Sequence, residues 1–269
     1  MPVTSLSKAP SGVLNNRVNR NSPWFVPTCY KPDADVRLFC FPFAGGGCSV
    51  FSSWKGQFDG IDVRSVQLPG RESRFSDMPI DDFDVLMSEL LVAFEGMLDK
   101  PFVFFGHSLG GLLAFELASH LRERSLPQPA HLIISGKQSL SATPRRDPIY
   151  QLPDDAFLNE LEKYAGTPKE ILESQELIQL MLPMLRADVT LFDRYTRRDK
   201  AAKLSCPISV FGSDNDPYVA IDDLVGWKAE TTGDFDQHTF SGGHFFINDS
   251  KDEVIDSIRQ IINNLPDRY

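Results

Sequence analysis

Cysteine is scarce in this 269-residue chain: only Cys29, Cys40, Cys48 and Cys206. No two of them form a CxxC pair or a zinc-ligand spacing, so no metal site or redox dithiol is expected. Cys40 and Cys206 lie beside apolar runs and read as small core residues. That usage suits a reducing cytoplasm, which is the expected location. No stretch of about 18 apolar residues occurs, so no membrane span is expected. Residues 1–22 lack the apolar core of a signal peptide and carry Lys8, Arg17 and Arg20 but no acid. A basic, acid-free lead has the composition of a transit peptide. Without an amphipathic period, however, it is read as a disordered tail, the domain proper spanning 23–269. Basic residues are also in deficit, 27 Lys and Arg against 37 Asp and Glu, for a net charge of −10. That balance argues against nucleic-acid binding, which needs a basic surface.

What is present is apolar residue in quantity, 42% of the chain, with 24% charged. That composition supports a sizeable core. Short apolar runs read as buried strands: Val36–Phe41, Val63–Gln67, Phe102–Phe105, Leu132–Ile134 and Ile208–Phe211. Between them, apolar residues recur at three- and four-residue spacing. Phe83, Leu86, Met87, Leu90, Leu91 and Phe94 form one such stripe, and Val254, Ile258, Ile261, Ile262 and Leu265 another. Strands alternating with helices imply an α/β fold, a mostly parallel sheet with helices on both faces. The rhythm breaks over about 141–203, where the pattern is helical around Asp154–Tyr164 and Glu170–Leu182. An insertion there would sit over the carboxyl ends of the strands, where ligands bind in such sheets, and is read as a lid.

The strongest chemical signal is Gly106-His107-Ser108-Leu109-Gly110, a G-x-S-x-G pattern. It follows the apolar run FVFF and precedes a helical stretch, the strand–turn–helix setting of a nucleophile elbow. The glycines leave room where the backbone is crowded. The helix N-terminus adds partial positive charge where an oxyanion forms. His107 is read as structural or pocket-shaping.

A serine hydroxyl needs a general base, usually histidine. In this arrangement the order is Ser, acid, His. His120 lies late in the helix after the elbow, and His131 precedes a strand at the wrong end of the sheet. His238 falls inside the expected strand Gln237–Phe240. His244, in Ser241-Gly242-Gly243-His244, follows that strand on a glycine loop and is the candidate base. The acid should follow Ile208–Phe211, where both Asp214 and Asp216 qualify. Asp216 is preferred because Pro217 stiffens the turn behind it, whereas Asp214 can serve as a turn former. The glycine-rich turn Phe43-Ala44-Gly45-Gly46-Gly47 ends the first clear strand. The backbone N–H groups of Ala44 and Leu109 are the candidate oxyanion donors. A phosphate loop is not indicated, because no Gly-Lys-Ser/Thr follows.

Together, Trp24-Phe25, LFCFPFAGGG (38–47), VQLPGRESR (66–74), FFGHSLGG (104–111), LPMLRADVTLFDRY (182–195), FGSDNDPYV (211–219) and FSGGHFF (240–246) carry a resemblance. The chain resembles the type II thioesterases that accompany nonribosomal peptide and polyketide synthetases. The resemblance implies an α/β-hydrolase fold, a triad of Ser108, Asp216 and His244, and a monomer. It also implies hydrolysis of stalled or wrong acyl groups from the phosphopantetheine arm of acyl or peptidyl carrier domains. The arm belongs to the substrate, so no cofactor and no metal is expected. Ser213, where the family commonly has a second glycine, is a departure of little expected consequence.

Carrier domains are generally acidic near the arm. A chain of net charge −10 would repel them unless a local basic patch overcomes the field. Arg145, Arg146, Arg194, Arg197, Arg198, Lys200 and Lys203 are the candidates. Two rival readings remain: a general acyl-CoA thioesterase or carboxylesterase on the same scaffold, and a catalytically idle binding subunit. Idle members commonly lose a triad residue, and all three candidates are present here.

Overall fold

A computed structural model describes residues 22–163, 174–197 and 202–266. The expected tail lies outside these residues apart from Ser22. Seven strands form one sheet in the order β1-β3-β2-β4-β5-β6-β7. They are β1 (Phe25–Cys29), β2 (Val36–Phe41), β3 (Ile61–Val66), β4 (Phe102–His107), β5 (His131–Ser135), β6 (Ile208–Ser213) and β7 (Phe235–Phe240). All neighbours run parallel except β1, which pairs antiparallel with β3. This is the mostly parallel α/β arrangement expected.

Alternation along the strands feeds two cores. Phe39, Phe41, Phe104, Leu132 and Ile134 point to one face, where α1 (Phe83–Glu95) and α2 (Leu109–Glu123) cover them. Leu38, Cys40, Val103, Phe105 and Ile133 point to the other, packed on Phe51 and Trp54 and on Val254, Ile255 and Ile258 of the last helix. Period-2 alternation inside strands apolar on both sides is what a sheet covered on both faces requires. Asp82 caps α1, its carboxylate accepting from Val85 N at 3.0 Å.

Two elements differ from expectation. β1 was not foreseen, because Pro27 demotes the run. An antiparallel edge strand accommodates it with a register irregularity between Pro27 and Cys29. Between β5 and β6 the described residues form no strand, as expected. They include α3 (Asp154–Lys163) and α4 (Gln175–Asp193). Periodicity alone stops the second helix at Leu182, before Pro183. Instead α4 runs through Pro183, which is exposed, and buries Met184, Leu185 and Val189 beyond it. Packing of that apolar stripe outweighs the lost hydrogen bond. The expected start at Glu170 lies outside the described residues.

Further α-helices among the described residues are α5 (Ile221–Leu224), α6 (Phe246–Asp249) and α7 (Lys251–Asn263). After β2 the chain moves to β3 on one side, whereas β4 lies on the other. The loops leaving β2 and β4 therefore diverge at their carboxyl ends and open a crevice, the usual place for a ligand in such a sheet.

Candidate active site

Ser108 sits at that crevice, between the last residue of β4 and the first of α2, with φ 53° and ψ −114°. A non-glycine residue held there stores roughly 1–3 kcal/mol of strain. Its amide donates to Ser135 O at 2.8 Å, which ties the turn to β5. The flanking glycines are steric necessities. A Cβ on Gly106 would lie 2.1 Å from Gly110 O, and one on Gly110 would lie 2.1 Å from Phe41 O.

His244 Nδ1 lies 2.7 Å from Asp216 Oδ2, and the two side chains are 10% and 0% exposed. Asp216 Oδ1 accepts from Tyr218 N at 2.8 Å and Val219 N at 3.1 Å. With both oxygens engaged as acceptors, Nδ1 carries the proton and Nε2 is left as the basic nitrogen. Asp214 is exposed and accepts from Asn215 Nδ2 at 2.8 Å and, in the loop before His244, from Gly242 N at 3.2 Å. The structure thus joins Asp216, not Asp214, to the histidine. Ser108 and His244 line one cavity. Among the described residues no hydrogen bond links Ser108 Oγ to the imidazole, a contact that commonly tightens only with substrate bound. His131 is remote at the start of β5, bonded to Ser209 Oγ at 2.8 Å, and His238 lies within β7.

Ser213 is more than a neutral departure. It is buried, and its hydroxyl donates to Gly243 O at 2.8 Å, joining the acid's loop to the base's loop. His107 is fully buried, with Nδ1 2.9 Å from Ser135 Oγ and its ring 5.1 Å from that of His244. Burial first, then the neighbouring His244, holds its imidazole neutral, well below the ordinary range. It shapes the wall behind the candidate base, as expected.

Neither Ala44 N–H nor Leu109 N–H donates to another group among the described residues. Both border Ser108, Ala44 from the turn after β2 and Leu109 from the helix start. The turn is fixed by a pair that sequence reasoning missed. Arg71 Nη1 and Nη2 contact Asp188 Oδ2 and Oδ1 at 2.6 and 2.7 Å, both side chains buried. The same Asp188 Oδ2 accepts from Gly45 N at 2.7 Å, and Arg71 Nη1 donates to Gly46 O at 3.0 Å. Gly45 holds φ +81°. The motifs LPGR and LRAD are therefore two halves of one clamp on the Ala44 turn, closed by helix α4. A buried bidentate Arg–carboxylate pair has the geometry to do this.

The cavity beside Ser108 has a volume of about 340 Å³. Its apolar lining includes Phe43, Ile149, Leu185, Val189 and Phe192, drawn largely from the insertion. The expected basic patch is laced with acids: Arg145 pairs with Asp223, Arg146 with Asp193 and Arg197 with Glu230. Arg198 and Lys200 lie outside the described residues. The described residues contain no group of His, Cys, Asp and Glu able to hold a metal and no helix long and apolar enough to cross a membrane.

The family described as the thioesterase domain matches residues 36–262. The gramicidin S biosynthesis protein GrsT of Aneurinibacillus migulanus is 35% identical over 240 residues, 89% of this chain and 93% of its own length. The medium-chain S-acyl fatty acid synthase thioesterase of Homo sapiens is 35% identical over 88% of this chain and 90% of its own. Among solved structures, the RedJ thioesterase of the prodiginine pathway in Streptomyces coelicolor superposes with a TM-score of 0.79. It is 32% identical and covers 89% of this chain and 94% of its own. The sheet order is thus that of an α/β hydrolase, and the chain belongs to the thioesterase domain family as a thioester hydrolase.

Proposed function

We propose that this enzyme releases aberrant or stalled acyl groups from the phosphopantetheine arm of carrier domains in nonribosomal peptide or polyketide assembly. The observation that carries the reading is the Asp216–His244 pair, whose histidine lines the same cavity as Ser108. Relatives named for gramicidin S biosynthesis and the prodiginine pathway support the carrier-borne substrate.

In this mechanism His244 Nε2 takes the Ser108 proton as Oγ attacks the thioester carbonyl carbon. The developing oxyanion accepts from Ala44 N–H and Leu109 N–H, each worth about 3 kcal/mol in the transition state. Collapse breaks the C–S bond, and the imidazolium returns its proton to the leaving thiolate. Water then attacks the acyl-serine with His244 again as base, releasing the free acid and restoring Ser108. Asp216 holds the imidazole tautomer and stabilises the imidazolium. The insertion acts as a lid that shelters the acyl chain. The resemblance to type II thioesterases supports action as a monomer. The four free cysteines support a cytoplasmic setting.

A second reading, release of medium-length fatty acyl groups, is favoured by the likeness to the human fatty acid synthase thioesterase. Rates on an acyl carrier domain, the matching acyl-CoA and a simple ester separate the two, followed by intact mass. Carrier preference is the expected result; preference for CoA or ester overturns it. Ser108→Ala should lower turnover on the order of 10⁴-fold or more while leaving carrier binding intact.

A further inference from the structure

Four cations line the cavity beside Ser108: Lys137, Arg145, Arg146 and Arg197, against a single carboxylate, Asp193. The chain as a whole carries a net charge of −10, so the concentration of positive charge here is local. Three of the four are matched: Arg145 by Asp223, Arg146 by Asp193 and Arg197 by Glu230. Both Asp193 oxygens are occupied, by Arg146 and by the amides of Ile149 and Tyr150. Lys137 is left over. It is 8% exposed and has no carboxylate partner or hydrogen-bond acceptor for Nζ among the described residues. The ammonium meets only the face of Phe192, 4.6 Å from the ring centroid.

An ammonium held in a largely buried residue without a protein acceptor is costly, and a cation–π contact offsets only part of that cost. Burial first, and Arg146 second, lower its pKa from 10.5 to about 8. It therefore remains mostly protonated at neutral pH. Its position is not accidental slack. Lys137 directly follows Gly136 at the carboxyl end of β5, and its carbonyl accepts from Trp227 Nε1 at 2.8 Å. The backbone is thus pinned while the side chain faces the cavity. A residue placed this way, in a cavity whose other cations are paired with carboxylates, has the form of a specificity determinant awaiting an acceptor on the ligand.

We propose that Lys137 binds a carboxylate carried by the acyl group itself, so that the enzyme favours half-thioesters of short dicarboxylic acids over neutral acyl thioesters of equal length. This deepens the carrier-thioesterase reading and rests on it. The arm's phosphate is the other anion that reaches the enzyme. It stays near the carrier surface, at the far end of the arm from the acyl carbon, whereas Lys137 is nine-tenths buried beside that carbon's pocket.

The test compares succinyl and butanoyl groups, on a carrier domain and on pantetheine without phosphate, for the parent, Lys137→Met and Lys137→Arg. The readout is the ratio of kcat/KM for succinyl over butanoyl within each protein, so a general loss of fold or activity cancels. The ratio should exceed one in the parent, fall at least tenfold in Lys137→Met, and be largely restored in Lys137→Arg. The same fall should appear on both carriers of the acyl group. An unchanged ratio with butanoyl turnover intact would overturn the proposal and leave the thioesterase reading standing. A Lys137→Met effect that vanishes on pantetheine would assign the lysine to the arm's phosphate and also overturn it. Absence of Ser108-dependent turnover on every carrier thioester would instead sink the parent reading.

Discussion

The strand ends of the sheet and the helical insertion are fastened by different physics. The elbow sits on packing with no slack: Gly106 and Gly110 cannot carry a Cβ, and the strands beneath are filled from both faces. The insertion instead buries a small cluster of its own, Ile149, Phe157, Ile178, Met184, Leu185 and Val189. Polar fasteners hold it to the rest: Asp188 to Arg71, and Lys163 O to the Tyr218 hydroxyl at 2.5 Å. Apolar packing sets a scaffold's shape without direction, whereas ion pairs set position and can be redrawn one at a time. The bond-breaking groups therefore stand on the rigid part, and most of the cavity's apolar wall on the fastened part. At Arg71–Asp188 the second reaches the turn beside Ser108, while Leu191 and the Tyr195–Glu116 hydrogen bond tie it to the helical face of the sheet.

The sharpest way to break this comparison is at the acid. Asp216→Asn leaves the shape nearly unchanged but disfavours the tautomer that keeps Nε2 basic. Its kcat should fall on the order of 10⁴-fold. Asp214→Asn, on an exposed turn two residues away, should stay within a few-fold. Steady-state rates on one acyl carrier decide it. Comparable losses in both variants would show that the sheet's loops are not positioned as rigidly as the Asp216–His244 bond implies.

The next test is at the joint. Asp188→Asn strands a buried Arg71 guanidinium, a loss of about 3–5 kcal/mol of stability. If the clamp also positions Ala44 N–H, kcat well below the unfolding temperature should fall about 10- to 100-fold with KM little changed. A role in stability alone would lower the melting point and leave that kcat untouched. Replacing both partners, Arg71→Met with Asp188→Leu, should recover stability but not kcat, which separates holding the fold from holding the turn.

Legibility in the sequence follows the same division. Five of the seven strands stand out as short buried β-rich runs, because the inside of a parallel sheet is covered on both faces, and the half-exposed edge strand β7 was expected over Gln237–Phe240. Pro27 hid the seventh. The order Ser, Asp, His located the candidate triad, since each residue follows its own strand and a turn signal. Pro217 favoured Asp216 over Asp214 in the sequence, and the side-chain geometry joins Asp216 to His244. Arg71 and Asp188 lie 117 positions apart, and nothing local in either stretch names the other as its partner. Nothing in the sequence around Lys137 singles it out. Its burial depends on Phe192 arriving from the far end of the insertion. Local pattern reveals the part of the site built on one strand and its turn, but not contacts that close only when the insertion folds over.

Lys137 makes the stability of the chain depend on pH. Its pKa is about 8 in the folded chain against an ordinary 10.5. Between those values the unfolded chain holds more protons than the folded one, so raising the pH favours folding. The penalty of the buried ammonium is complete below pH 8 and is lost by pH 10.5. The stability of the parent relative to Lys137→Met should therefore rise by on the order of 3 kcal/mol across that window, measured by denaturant unfolding. A flat difference would mean that the ammonium is solvated, and that the insertion covers it less closely than the sheet covers its own core.

The smallest effect is expected at Ser213. Its hydroxyl bridges the loops of Asp216 and His244, yet those loops are already joined by the acid–base bond itself. Ser213→Gly removes one neutral hydrogen bond and leaves Gly243 O with the Phe246 amide at 3.2 Å as its donor, a loss of about 1 kcal/mol. For a chain of this size that lowers the melting temperature by roughly 2–4 °C. The loop it steadies contains Gly242 at φ 121°, so the base should become slightly less well placed, with kcat down about two- to fivefold and KM unchanged. A much larger loss of kcat would mean that a single hydroxyl, rather than the packed sheet beneath, sets the position of His244. The rigid half of the molecule would then depend on directional fasteners as much as the insertion does.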